Sequence, residues 1–239
     1  MKPIKNLLLF LFLLFLNVSI AQKNIKNSFI IPQGYERVNP NNYHKWLINQ
    51  PLIFDSPVKI YQGDIVYGLN DIYIAKFDYS IGVKNLHQCA DAAMYFNATY
   101  LYETNQWDRI NYHFDETYSF PFKRYVWRTH TNDKTALKKY LEKVWAGAGS
   151  LSLDKFDTDP VSLKEAIAGD LIIEGGSPGH VITIVDVIVN KTTGVKKYML
   201  AQSYMPAQEQ YILLNEEDPK TVWFEFKGGE DIETPGWLF

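Results

Sequence analysis

The sequence predicts an α+β protein. Its helical patterns fall mainly before residue 150, the pattern from Gly169 onward is of short strands joined by hairpin turns, and no βαβ unit repeats. Of 239 residues, 46% are apolar, 15% aromatic and 21% charged, which describes a folded chain with a packed core rather than a disordered one. Lys and Arg number 24 against 27 Asp and Glu, for a net charge of -3. Without a basic block, nucleic acid is not an expected partner.

Lys2 and Lys5, the apolar run 7–16 and Ser19-Ile20-Ala21 have the layout of a secretory signal. The run is about half the ~20 apolar residues a spanning helix needs. Residues 1–21 are therefore expected to leave after Ala21, without stable membrane insertion, and the protein to be exported to a periplasmic or extracellular location. The polar stretch 22–28 reads as a flexible lead-in, and 29–239 as a single domain. A short helix is expected over 39–48 with Pro40 in its first turn, a weak strand over 58–61, and an alternating strand over 71–77. Residues 85–103 lack Gly and Pro, and Asn85 with Gln88 three residues on resembles a capping box. The clearest helix is 132–145, where Leu137, Tyr140, Leu141, Val144 and Trp145 share one face and Gly147 and Gly149 follow. Strands then fall at 171–173, 180–189 and 195–204, with further strand pattern at 211–214 and 222–226, as an antiparallel meander.

Export makes the single cysteine informative, since Cys89 can form no internal disulfide. One reading makes it a small buried hydrophobe. Its place in a first helical turn supports another, because helix-start N–H groups favour a thiolate. A nucleophilic thiolate needs a general base held in one orientation by a third group. His180 follows the turn Gly175-Gly176-Ser177-Pro178-Gly179 and leads into an apolar strand, so it either carries the base or marks a strand start. A hairpin centred on Thr192 pairs His180 with Tyr204 and Ile182 with Gln202, which puts Gln202 on the face of His180, one diagonal step of roughly 7 to 8 Å away. A one-residue change of loop would put Ser203 there instead. Asp186, six residues along the strand, lies about 20 Å from His180 and is too far to orient it.

Gln88 is an oxyanion candidate or a helix cap. Arg124, Trp127 and Arg128 either bind a carboxylate-bearing substrate or form a solvated strand face. His87, Cys89 and His180 offer too few ligands at fixed spacing for zinc, so no metal and no cofactor are expected.

The order of Cys at a helix start, Gly169-Asp170-Leu171-Ile172-Ile173 opening a strand, and Pro178-Gly179-His180-Val181 resembles the papain-like cysteine hydrolases, especially the NlpC-type cell-wall peptidases. The motifs Gln88-Cys89-Ala90-Asp91-Ala92, Pro178-Gly179-His180, Ala201-Gln202-Ser203-Tyr204-Met205-Pro206-Ala207-Gln208 and Thr234-Pro235-Gly236-Trp237 resemble those of the bacterial domain-of-unknown-function 4846 family. The papain-like resemblance implies a fold of N-terminal helices packed on an antiparallel sheet, with Cys89 as nucleophile, His180 as base and then acid, and Gln202 as orienting residue. Papain-like enzymes more often place Asn, Asp or His at that third position. The function it implies is a secreted hydrolase of an amide, with a cell-wall peptide or another small amide or ester as substrate. The rival expectations are an acyl-lipid or small-amide hydrolase or acyltransferase using the same residues, and a non-catalytic module that binds the cell envelope.

Overall fold

The computed structural model describes residues 22–69, 71–215, 220–228 and 231–239, so the expected leader 1–21 lies outside the described residues. The first elements are short: α1 (Ile25–Ser28), β1 (Tyr35–Arg37), α2 (Asn42–Leu47), β2 (Leu52–Phe54) and β3 (Tyr73–Phe77). The long helix α3 (Cys89–Glu103) follows, then a hairpin of β4 (Asn111–His113) and β5 (Ser119–Pro121), and helices α4 (Phe122–Thr129) and α5 (Lys134–Trp145). The single turn α6 (Ser150–Ser152) runs into a π-helical turn, Leu153–Asp157. The second half of the chain is strands: β6 (Leu171–Glu174), β7 (His180–Asn190), β8 (Lys196–Gln202), β9 (Tyr211–Leu213), β10 (Glu233–Thr234) and β11 (Trp237–Leu238).

The main sheet runs β1-β7-β8-β9-β3-β2, with β6 beside β1 on the same edge of β7, and every pairing is antiparallel. The α+β class therefore holds. Strand β7 is buried from His180 to Ile188 because apolar clusters cover both of its faces. Helix α3 is buried on nearly all sides. Phe96 enters the sheet core, while Ala93, Met94 and Leu101 enter the helical core built by α4 and α5.

Three expectations are corrected. The segment 22–28 is not a loose lead-in, since Asn24 and Asn27 cap α1 reciprocally and Ile25 is fully enclosed in the core. Residues 222–226 form an isolated bridge to Tyr198 at Phe224 rather than a strand. The segment carrying Arg124, Trp127 and Arg128 is helix α4, not a strand face, because Phe122 and Tyr125 repeat at helical spacing and pack on Tyr140.

The hairpin after β7 is also built differently. Asn190 N–H bonds Val195 C=O and Val189 opposes Lys196, so the loop is not centred on Thr192. A bulge between Ile184 and Asp186 shifts the register by one, after which Thr183 opposes Ala201. The two offsets cancel at the His180 end of the strand, so Gln202 shares its face as expected. Asp186, beside the bulge, is fully buried and meets Arg37 and His44.

Candidate active site

Cys89 is the first residue of α3, with Gln88 at the N-cap. The expected cap is replaced. Asp91, not Gln88, closes the helix start by accepting the Gln88 backbone N–H at 2.9 Å, while Asn85 accepts the N–H of Ala207 at 2.7 Å. The Gln88 amide lies at the helix start, half-buried, with its nitrogen 3.5 Å from Asn85 Oδ1. The N–H of Cys89, in the first turn, belongs to the group that has no partner within the helix.

Glycine builds the approach to His180. A Cβ on Gly179 would lie 2.5 Å from Ser150 Oγ and 2.7 Å from the carbonyl oxygen of Glu174, so only glycine lets the turn close against β6. Gly169, at φ +103 and with Tyr43 ring carbons 2.6 Å from a built Cβ, plays the same part at the start of β6. His180 then begins β7 opposite Glu174.

The His180 ring is 1% exposed and its Nε2 lies 2.8 Å from Gln202 Oε1. The direction of this bond follows from the other end of the amide. Gln202 Nε2 faces the carbonyl oxygen of Pro235 at 3.4 Å, which can only accept, and the Tyr211 hydroxyl at 3.1 Å. The amide nitrogen therefore points away from the histidine, its oxygen accepts, and His180 Nε2 carries the proton. Nδ1 is left as the basic nitrogen of the neutral ring. Ser203 takes no part, since its hydroxyl bonds the carbonyls of Gln208 at 2.7 Å and His87 at 3.2 Å.

Burial sets the charge state. It pushes the His180 imidazole below its usual value, opposed by the Gln202 bond, and pushes the Cys89 thiol up, opposed by the backbones of Val181 and Ala90 and reinforced by nearby Asp91. The effect of Val181 on the sulfur puts Cys89 against the residue that follows His180. The thiolate expected from the helix start is therefore not the resting form, because desolvation outweighs the favourable backbone groups. Among the described residues no hydrogen bond joins the sulfur to the ring. Both groups rest neutral near pH 7.

Sequence reasoning missed the aromatic cover. The Trp237 ring stacks on His180 at 5.1 Å, Tyr204 lies at 5.0 Å and Phe239 at 5.9 Å, and Trp237 Nε1 donates to Glu174 at 2.8 Å. Its only signal was the terminal Thr234-Pro235-Gly236-Trp237 motif, which carries no chemistry by spacing. Arg124, Trp127 and Arg128 stay apart from these residues. All three are exposed on the outer side of α4, Trp127 by 76%. His87 is enclosed beside Tyr79, whose hydroxyl lies 3.2 Å from its Nε2.

Fold and geometry define an α+β protein that buries a cysteine, a histidine and a glutamine where its central helix meets its sheet. The family model described as domain of unknown function (4846) matches residues 25–239, and the chain belongs to that family. No curated protein matches the chain, and no solved structure does.

Proposed function

We propose that the protein is a papain-like cysteine hydrolase that cleaves an amide or ester through an acyl-enzyme on Cys89. The observation that carries this reading is the His180–Gln202 bond, which fixes the imidazole tautomer with Nδ1 as its proton acceptor. The His180 Nδ1 has no hydrogen-bond partner among the described residues, which leaves it open to take a proton. The Cys89 thiol adds to the substrate carbonyl carbon as its proton passes to His180 Nδ1. The oxyanion accepts from the Cys89 N–H and the Gln88 amide. Collapse expels the amine or alcohol, which takes the proton from His180. Water, deprotonated by the same nitrogen, then adds to the thioester and releases the acid and the thiol.

Because thiol and imidazole rest neutral, proton transfer accompanies attack rather than preceding it. Geometry between such groups commonly tightens only once substrate is bound. Export, with cell-wall peptide as the substrate, follows from the leader pattern and the NlpC-type resemblance. The same residues serve an acyl-lipid or small-amide hydrolase or acyltransferase, as the nucleophile and base do not encode the acyl group.

A second reading is favoured by the burial of Cys89, 9% exposed with its thiol pushed up. It is a non-catalytic module that binds the envelope and keeps the cysteine as packing. Mass spectrometry separates the two. With purified cell-wall fragments and a panel of acyl amides and esters, the hydrolase yields products and an acid-trapped acyl adduct on Cys89, and Cys89→Ser yields neither. Intact substrates throughout the panel establish the binding module. Iodoacetamide is expected to alkylate Cys89 more slowly than a free thiol at pH 7, and faster as pH rises.

A further inference from the structure

We propose that the exposed face of α4, continued by Lys139 and Lys143 of α5, docks the protein on an anionic lipid surface. This goes beyond the hydrolase reading and does not depend on it.

Residues 122–143 carry seven Lys and Arg against two Asp and Glu, a net +5 in a chain whose net charge is -3. Both acids and two of the cations are already engaged. Asp133 caps α5 by accepting the Ala136 N–H at 2.7 Å, Glu142 pairs with Lys84, Lys123 with Asp108 and Lys134 with Glu103. Arg124, Arg128, Lys139 and Lys143 hold no ion pair among the described residues. Arg124 and Arg128 are one turn apart on the outer side of α4, away from the Phe122 and Tyr125 rings that pack on Tyr140 of α5. On α5, Lys139 and Lys143 are exposed and lie about 100° and 60° to one side of Tyr140 around the helix axis. Lys138 and Glu142 lie round the far side, beside Gly82 and Lys84.

A separate observation concerns an indole set among these cations. Trp127, between Arg124 and Arg128 on the same side of α4, is 76% exposed. The other five tryptophans are all buried or half-buried. Cations alone suit any polyanion, such as DNA or an acidic protein. An exposed indole beside unpaired guanidinium groups suits a membrane interface, where the ring rests at headgroup level and the cations meet lipid phosphates. Helix α4 has eight residues, about 12 Å of length against the ~20 residues of a spanning helix, so it lies along the surface rather than crossing it. With +5 in this segment and -3 overall, the rest of the sequence carries -8 and is repelled by the same surface, which leaves one face to dock.

Vesicles of phosphatidylcholine, alone or with about one third phosphatidylglycerol, test this on the full chain. Wild type is expected to partition roughly tenfold or more in favour of the anionic vesicles, and less so at high salt. Each lost cation weakens binding about fivefold, so Arg124→Gln/Arg128→Gln should bind the anionic vesicles roughly 20-fold more weakly at an unchanged urea midpoint. Arg124→Lys/Arg128→Lys keeps the charge and should bind within about threefold of wild type. Residues 1–21 are the same in all three proteins, so the differences report the helix. Brominated lipids should also quench the emission that Trp127→Phe lacks, which places the indole in the interface. Equal binding to both kinds of vesicle, unweakened binding of the Gln variant, equal loss in the Lys variant, or an unquenched Trp127 overturns the proposal. Tighter binding to a DNA duplex than to anionic vesicles overturns it in favour of nucleic acid. Concentration-dependent dimerisation that the Gln variant loses, without vesicle binding, overturns it in favour of a second copy of the chain.

Discussion

Strand β7 buries two titratable side chains, His180 and Asp186, in opposite ways. Asp186 is fully enclosed and fully partnered: Arg37 Nε donates to Oδ2 at 2.8 Å, and Oδ1 meets His44 Nε2 at 2.7 Å and the Val187 N–H at 2.9 Å. His180, at the head of the strand, is held on one nitrogen by a neutral amide, and its Nδ1 has no hydrogen-bond partner among the described residues. A completed network fixes the strand, whereas a half-completed one keeps a nitrogen available for chemistry. The first joins β1, α2 and β7. The second joins β7 to β8.

The sharpest way to break this comparison is Asp186→Ala. It leaves Arg37 and the buried His44 without their carboxylate and is expected to cost about 3 to 5 kcal/mol, read from the urea midpoint. Turnover per folded molecule should not change. A stability loss near zero would mean that the network does not hold the strand.

The next effect concerns a third buried histidine. Desolvation lowers His87 from its ordinary 6.5 to about 4, so the unfolded chain binds the extra proton between those values. Its contribution to stability is present above pH 6.5 and is lost as pH falls towards 4, by roughly 3 kcal/mol in all. Buried Asp91 is shifted upward and works in the opposite direction. The measurement is therefore a difference: urea titrations of wild type and His87→Gln across that range should diverge, with the variant losing less. Parallel curves would show that His87 is protonated equally in both states.

Gln202→Ala tests the other end of β7. Turnover is expected to fall roughly 100-fold, the lower range for a positioned general base, because the ring loses its fixed tautomer. Burial already lowers His180, and the Gln202 bond raises it. Wild-type activity should therefore fade only below the ordinary imidazole range, and in the variant the acid limb should move lower still. An unmoved limb would remove Gln202 from the site. The smallest effect is expected of Trp237→Phe, which keeps a ring over His180 and loses only the exposed bond to Glu174, at less than about 1 kcal/mol.

Class, helix positions and strand pattern are properties of local composition, and the sequence by itself determined them for α5, β6 and β7, where period and turn residues agree. It also determined that Cys89 opens a helix, that His180 opens a strand and that Gln202 is the residue on its face. That last inference reached the observed residue by way of an incorrect loop, since the bulge at residues 184–186 compensates for it. A bulge has no period and cannot be read from alternation. Only the tertiary structure decided that both thiol and imidazole rest neutral, because the desolvation that outweighs the helix start comes from α3, β6, β7 and the terminal hairpin closing together. It also decided that Trp237 covers the ring and that Arg124, Trp127 and Arg128 stay outside, for contacts between residues far apart in the chain exist only once the sheet has folded.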